Sequence, residues 1–175
     1  MARGRQAWRN AVFGNPVLIF VTVGTQLPFP RLLAMMEEVA LRRPVEILAQ
    51  TGDPAYRGPL SSVAAMDRAA FEDACARASL IVGHAGTGTI LAARRHGKSL
   101  IVVPRQLELG EHRNDHQSGT AEQLRRIGEA AVCETVEEIV TAIDNPPPPS
   151  HQRAGPERQK LIDALAGMIG EAVRH

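Results

Sequence analysis

Six short apolar runs alternate with segments of helical periodicity along this chain, and they predict an α/β fold with a mainly parallel sheet of about six strands flanked by helices. Three observations carry the prediction. The first run, residues 17–23 (VLIFVTV), is unbroken and rich in β-branched residues, as a strand buried on both faces requires. Helices separate the strands, so neighbouring strands join by crossovers, which run right-handed. The chain has 175 residues, 44% apolar and 22% charged, the size and composition of one ordinary globular domain.

The elements follow in order. After residues 17–23, Phe29, Leu32, Leu33, Met36 and Val39 recur at helical spacing to about Arg42. Residues 45–49 form a short strand closed by the turn Thr51-Gly52-Asp53-Pro54. Residues 61–66 are a weaker strand. Asp67 is placed to cap a helix striped by Phe71, Ala74 and Ala78. Residues 80–82 are the next buried strand, 89–95 a helix ended by Gly97, and 100–103 a strand stopped by Pro104. A helix over 116–127 and a strand over 130–133 precede Thr135 and Glu138, which form a capping box for a helix carrying Val136, Ile139, Val140 and Ile143. Residues 146–149 are four prolines, a stiff break. Leu161, Leu165, Met168, Ala172 and Val173 stripe a terminal helix.

Composition excludes several function classes. Net charge is +1, so there is no broad electrostatic footprint for nucleic acid, and 3% aromatic residues leave few platforms for base stacking. No stretch approaches the ~20 apolar residues of a membrane span. Cys75 and Cys133 form no CxxC pair and read as small buried apolar residues in a reducing compartment. Arg3, Arg5 and Arg9 precede the first acid, Glu37, and no signal-peptide core follows, so the chain is expected to be cytoplasmic. This basic leader, with Trp8 and Phe13, reads either as a frayed extension or as a contact for an anionic membrane surface.

In parallel sheets ligands bind beyond the carboxyl ends of the strands, and three loops there are unusual. The first is Gly24-Thr25-Gln26, which is either a diphosphate contact or a plain strand-to-helix turn. The second is Gly83-His84-Ala85-Gly86-Thr87-Gly88-Thr89. Its three glycines and two hydroxyls open a helix, the composition of an anion cradle, while a packing loop is the other reading. It is not a P-loop, because Thr89 stands where that motif needs Lys, and its GxxGxG order is not the dinucleotide fingerprint. The third loop runs from Glu108 through Glu111, His112, Arg113, Asn114 and Asp115 to His116 and Gln117, after Pro104 and Arg105. It suits the hydroxyls of a sugar, or is a solvated loop with a helix cap at Asn114 or Asp115. His112 and His116 also have the i, i+4 spacing of a zinc pair, but there is no HExxH and no obvious third ligand, so no metal site is expected.

The runs IFVTVGTQLPFPRLL, GHAGTGTILAARRHGKSLIVVP and EHRNDHQ, in that order, resemble the C-terminal domain of glycosyltransferase family 28, over about residues 18–143. The resemblance is strongest to short, single-domain members that act as catalytic subunits of two-component transferases, in dolichol-linked N-acetylglucosamine transfer and bacterial exopolysaccharide glucuronosyl transfer. It implies a Rossmann-like sheet equivalent to the C-terminal, donor-binding half of a GT-B fold, and a UDP-sugar ligand with no cofactor. It also implies a lipid-linked acceptor presented by a membrane-anchored partner subunit, which recruits the chain to the inner face of the membrane. A homo-oligomer is open, and nucleic acid is not a partner.

The same resemblance assigns roles. Gly24 and Thr25 match the first diphosphate loop, and Gly83, His84, Ala85, Gly86, Thr87, Gly88 and Thr89 the main one. Ala65 and Met66 lie where the family reads uracil. Arg105, Glu111, Asn114, Asp115, His116 and Gln117 fall on the sugar side, where Arg105 or Arg113 can pair a donor carboxylate. His84 is the candidate general base on this chain. Many family members carry a ribose-binding Glu three residues after the glycine-loop Thr, where this chain has Ala92. The expected organisation is a basic extension over 1–16, a UDP-sugar-binding domain over 17–145, a Pro-rich linker over 146–156 and a terminal helix over 157–175. The expected activity is an inverting, metal-independent sugar transfer. Two other classes compete: a non-catalytic nucleotide-sugar-binding or regulatory module, for which Ala92 argues, and a sugar-nucleotide epimerase or hydrolase, for which the length leaves no second domain.

Overall fold

A computed structural model describes residues 17–111 and 116–149. The leader over 1–16, the segment 112–115 with Asn114 and Asp115, and the expected terminal helix lie outside the described residues. The strands are β1 (Leu18–Thr22), β2 (Glu46–Gln50), β3 (Ser61–Val63), β4 (Leu80–Gly83), β5 (Ser99–Val102) and β6 (Ala131–Val132). The helices are α1 (Pro30–Arg42), α2 (Arg68–Arg77), α3 (Thr87–Arg95), α4 (His116–Ile127) and α5 (Val136–Asp144). The sheet order is β3-β2-β1-β4-β5-β6, and every neighbouring pair is parallel.

The unbroken apolar runs have a direct cause. Residues alternate across a strand, and here each face meets its own helix layer. Ile19 and Val21 of β1, Leu80 and Val82 of β4 and Ile101 of β5 point into one core with Leu32, Met36 and Val39 of α1 and Ile139 and Ile143 of α5. Phe20, Ile81, Leu100 and Val102 point into the other, with Ala74 and Cys75 of α2, Ile90 and Ala93 of α3 and Leu124 of α4. Phe71 packs edge-on against Phe20 at 5.5 Å between ring centroids. Both cysteines are buried, and burial pushes their thiols up, Cys75 to about 11 and Cys133 to about 12.

The caps fall where the side chains direct them. Asp67 accepts a hydrogen bond from the Ala70 N–H at 2.8 Å, and Thr135 and Glu138 close the capping box on α5. Gly97 follows α3 with φ +59°, the left-handed conformation that glycine tolerates best. Most strand ends fall within one residue of expectation, and two boundaries differ by more. β3 is three residues long and exposed throughout, so an edge strand with no buried face leaves little periodic signal. α3 starts at Thr87, not Thr89, drawing Thr87 and Gly88 into its first turn. The proline run returns to the amino edge of the sheet, where the Ser99 hydroxyl donates to the Pro147 carbonyl at 2.6 Å. Among the described residues no helix is long and apolar enough to cross a membrane.

β1 leads to α1 on one face of the sheet, and its neighbour β4 leads to α3 on the other. The chain therefore departs in opposite directions from two adjacent carboxyl ends, and this divergence opens a crevice at the topological switch point. The two glycine loops lie at that crevice.

Candidate functional site

His84 joins the two glycine loops. It follows β4 directly, and its ring lies between Gly24 and Gly86. A methyl group built on Gly24 stands 2.6 Å from His84 Cε1, and one built on Gly86 overlaps Nε2. A side chain at either glycine would therefore displace the imidazole, and Gly24 is also held at φ +81°. Thr89 Oγ1 stands 3.5 Å from His84 Nδ1. Gly83 is confined in a different way, since a methyl there falls 2.9 Å from the Thr22 carbonyl oxygen and 2.8 Å from Thr89 Cγ2. Gly88 is unlike the other glycines of this loop: among the described residues, nothing beyond its chain neighbours and its own helix backbone lies within 4 Å of an added methyl.

Gly86 is the N-cap of α3 and brings no side-chain cap hydrogen bond. The first N–H groups of a helix have no intrahelical acceptor, and together with the helix dipole they favour an anion. The cradle expected over residues 83–89 is therefore a half-buried His84, a buried Ala85 and the uncapped first turn of α3. Behind the first loop, the Thr22 hydroxyl donates to Gln50 Oε1 at 2.6 Å, and Gln50 Nε2 donates to the Gly24 carbonyl at 3.3 Å. Thr25 is exposed beyond them. Ala65 is exposed and Met66 packs beside the α2–α4 core, both directly after β3.

Two residues expected on the sugar side are engaged within the protein. Arg105 is 3% exposed, and its guanidinium is no open cation for a sugar carboxylate. Nη1 donates to the carbonyls of Pro28 (2.7 Å) and Glu111 (3.2 Å), and Nη2 to those of Val23 (2.8 Å) and Leu27 (2.6 Å). The guanidinium also covers the Phe29 ring at 4.4 Å. Burial pulls its pKa below the ordinary value, against the opposing pull of Glu111. The Glu111 carboxylate is spent as well. It takes a bidentate pair from Arg31, at 2.7 Å and 2.8 Å, and the Gln106 N–H at 2.9 Å. Burial pushes the Glu111 carboxyl up, but these donors outweigh it and hold it below the usual range. A chain that folds must satisfy buried charges, and here it does so with each other and with loop carbonyls.

Gln117 is 7% exposed, and its Oε1 accepts the Arg105 backbone N–H at 3.2 Å. His116 opens α4 at the same place. Ala92 faces the α2–α4 core at 3% exposure, so a carboxylate at this position would be buried against the sheet. Among the described residues no group of His, Cys, Asp and Glu side chains is placed to hold a metal ion.

Sequence reasoning missed Phe29 and Arg31 as site builders. Arg31 and Glu111 are 80 residues apart, and no local pattern links them. It also missed a cavity of about 210 Å³ beside the first loop, lined among others by Phe29, Leu33, Glu37, Asp53 and Tyr56, with none of the expected donor residues in its wall. There the Tyr56 hydroxyl donates to Glu37 at 2.8 Å, and burial followed by this bond pushes its pKa up to about 12.

Comparison with known proteins agrees with this fold. The model of the glycosyltransferase family 28 C-terminal domain matches residues 18–166. Among solved structures, the chain resembles CalG4, the calicheamicin glycosyltransferase, with a TM-score of 0.59 at 20% identity over 75% of this chain and 35% of that one. It resembles MurG of Acinetobacter baumannii with a TM-score of 0.54 at 23% identity, over 79% of this chain and 43% of that one. It resembles ALG13, solved by NMR, with a TM-score of 0.59 at 17% identity, over 84% of this chain and 95% of that one. The chain thus matches less than half the length of CalG4 and of MurG. A comparison with curated protein sequences finds no match. These likenesses give the fold as the C-terminal half of a GT-B glycosyltransferase. With the family model matching most of its length, the chain belongs to glycosyltransferase family 28, as a C-terminal domain of that family.

Proposed function

We propose that this chain is the donor-binding half of an inverting glycosyltransferase that takes its sugar from a UDP-sugar and passes it to a lipid-linked acceptor. The observation that carries the reading is the pair of glycine loops meeting across His84 at the switch point, in front of the uncapped α3 N-terminus. The diphosphate lies on that N-terminus, near Gly24 and Thr25. Uracil lies against the backbone at Ala65 and Met66, and the sugar reaches toward His116 and Gln117. Asn114 and Asp115 are the remaining candidates on the sugar side.

In the reaction the acceptor hydroxyl oxygen attacks the anomeric carbon from the face opposite UDP. The bond from that carbon to the diphosphate oxygen breaks, and UDP leaves with the electron pair. The backbone N–H groups and dipole of α3 stabilise the charge that develops on the diphosphate, a role that needs no metal. The acceptor proton must pass to a base. His84 sits between the loops assigned to the diphosphate, a position that suits hydrogen bonding to phosphate better than reaching the acceptor oxygen. The base then belongs to the acceptor half. That half lies on a separate, membrane-anchored chain in this proposal, and docking on it brings this domain to the cytoplasmic membrane face. The match to ALG13 over nearly the whole of that chain supports a stand-alone donor half.

The test is transfer of radiolabelled sugar to a polyprenyl-linked acceptor. This chain alone should transfer little, and co-expression with its membrane-anchored partner should restore turnover. Turnover by the isolated chain at ordinary enzyme rates, about 1–10³ per second, would refute the split arrangement. Absence of UDP binding would refute the donor assignment.

A further inference from the structure

The geometry points to Arg105 as a positioning residue for the donor, acting through the backbone of the first glycine loop and through Gln117; the inference rests on the donor reading above. Three carbonyls of one short segment, those of Val23, Leu27 and Pro28, converge on a single guanidinium. They bracket Gly24, Thr25 and Gln26, so the path of these three residues is set by a side chain that comes from beyond β5. The backbone N–H of the same Arg105 holds the Gln117 amide oxygen at 3.2 Å. One residue thus orients the loop assigned to the diphosphate and the amide assigned to the sugar.

A second arginine braces the first. Arg31 donates to the Pro104 carbonyl at 2.8 Å and pairs bidentately with Glu111, while its guanidinium lies 5.3 Å from the centre of the Phe29 ring that Arg105 also covers. Glu111 in turn returns its carbonyl to Arg105 and its carboxylate to the Gln106 N–H. The loops after β1 and β5, on opposite sides of the crevice, are locked into one body. A buried guanidinium held mainly by carbonyls is a weak source of stability, because desolvation offsets much of its attraction. It is a strong source of geometry, because its planar fork fixes several acceptors at once. Lysine offers three donors from one point and cannot reproduce the fork.

The experiment measures UDP binding to the full chain by calorimetry, with folding followed by circular dichroism and thermal unfolding. Arg105→Lys and Arg105→Met should remain folded and bind UDP about tenfold or more weakly, the size of effect expected when a binding group shifts by a fraction of an ångström. Lysine should retain more affinity than methionine. Arg31→Lys, at a partly exposed position, should lose about threefold, because it loosens the brace alone. Arg43→Met is the control. It breaks the Arg43–Asp144 pair between the ends of α1 and α5, and should lower stability without changing UDP affinity. Folded Arg105 variants with wild-type affinity would overturn the inference and leave the donor reading intact. Failure of both Arg105 variants to fold would also overturn it, making Arg105 a residue of the fold alone. A wild-type chain that does not bind UDP would overturn both.

Discussion

Gly86 and Gly88 sit two residues apart in one loop, yet replacing each by alanine should have opposite effects on stability. Gly86 has φ −87° and ψ 142°, so its backbone suits alanine, and the objection is steric. The new methyl overlaps His84 Nε2 and lies 2.7 Å from Cδ2 and Cε1. The ring cannot slide toward the other loop, because Gly24 already faces Cε1 there. It must leave its place or force the loops apart, and overpacking of this kind costs about 1–3 kcal/mol. At Gly88 a methyl meets no other element among the described residues, and the residue is in the first turn of α3. Alanine there should stabilise by about 0.5–1 kcal/mol. Both changes restrict the unfolded chain alike, so that contribution cancels between the two variants. The difference left is the steric cost at Gly86. For a chain of this size each kcal/mol moves Tm by about 2–4 °C, so Gly86→Ala should melt several degrees below Gly88→Ala. Differential scanning calorimetry reads this directly. A Gly86→Ala protein as stable as Gly88→Ala would show that His84 is not wedged between the loops. UDP titration adds a second sign: Gly88→Ala should be more stable and bind UDP more weakly, since its methyl points where the protein leaves room for a ligand.

Two further outcomes follow from the buried polar groups. Glu111 titrates below the usual carboxylate range in the folded protein, so its contribution to stability is present above the unfolded value of about 4.3 and is lost as pH falls through the folded one. Glu111→Gln should therefore be less stable than wild type near neutrality, and the gap should close in urea titrations below about pH 4; a gap independent of pH would refute the ion-pair role. Gln117→Ala leaves the buried Arg105 N–H without its side-chain acceptor and should cost about 1–3 kcal/mol of stability. The same variant should weaken UDP-sugar binding more than UDP binding in calorimetric titrations, and equal losses would remove Gln117 from the sugar side.

The parallel sheet was legible because its physics is local. A strand covered on both faces is a nearly continuous apolar run, and 17–23 and 80–82 carry that mark. Asp67 and the Thr135–Glu138 box were legible for the same reason, since a cap spans three residues. The exposed edge strand β3 was weak in sequence because it has no buried face to record. Among the loops, glycine content marked the right place, but one sequence supports both a ligand cradle and a packing loop. The structure adds that Gly24 and Gly86 face the His84 ring and that a methyl at Gly88 meets no other element among the described residues.

The sequence by itself determined the order and type of the elements, the caps, and the position of the glycine loops at strand ends. Each depends on residues within a few positions of one another. Only the tertiary structure decided what the charged residues do. Arg105 and Glu111 read as polar loop residues near a sugar, Arg31 carried no mark at all, and an exposed arginine and a buried one look alike in a sequence. Their partners lie up to 82 residues away, on the far side of the crevice, and the burial of Arg105 obliges it to meet them. A guanidinium withdrawn from water must find acceptors wherever the folded chain presents them, and that demand is settled by the pairing of β1 with β4 and of β4 with β5, which no local pattern records.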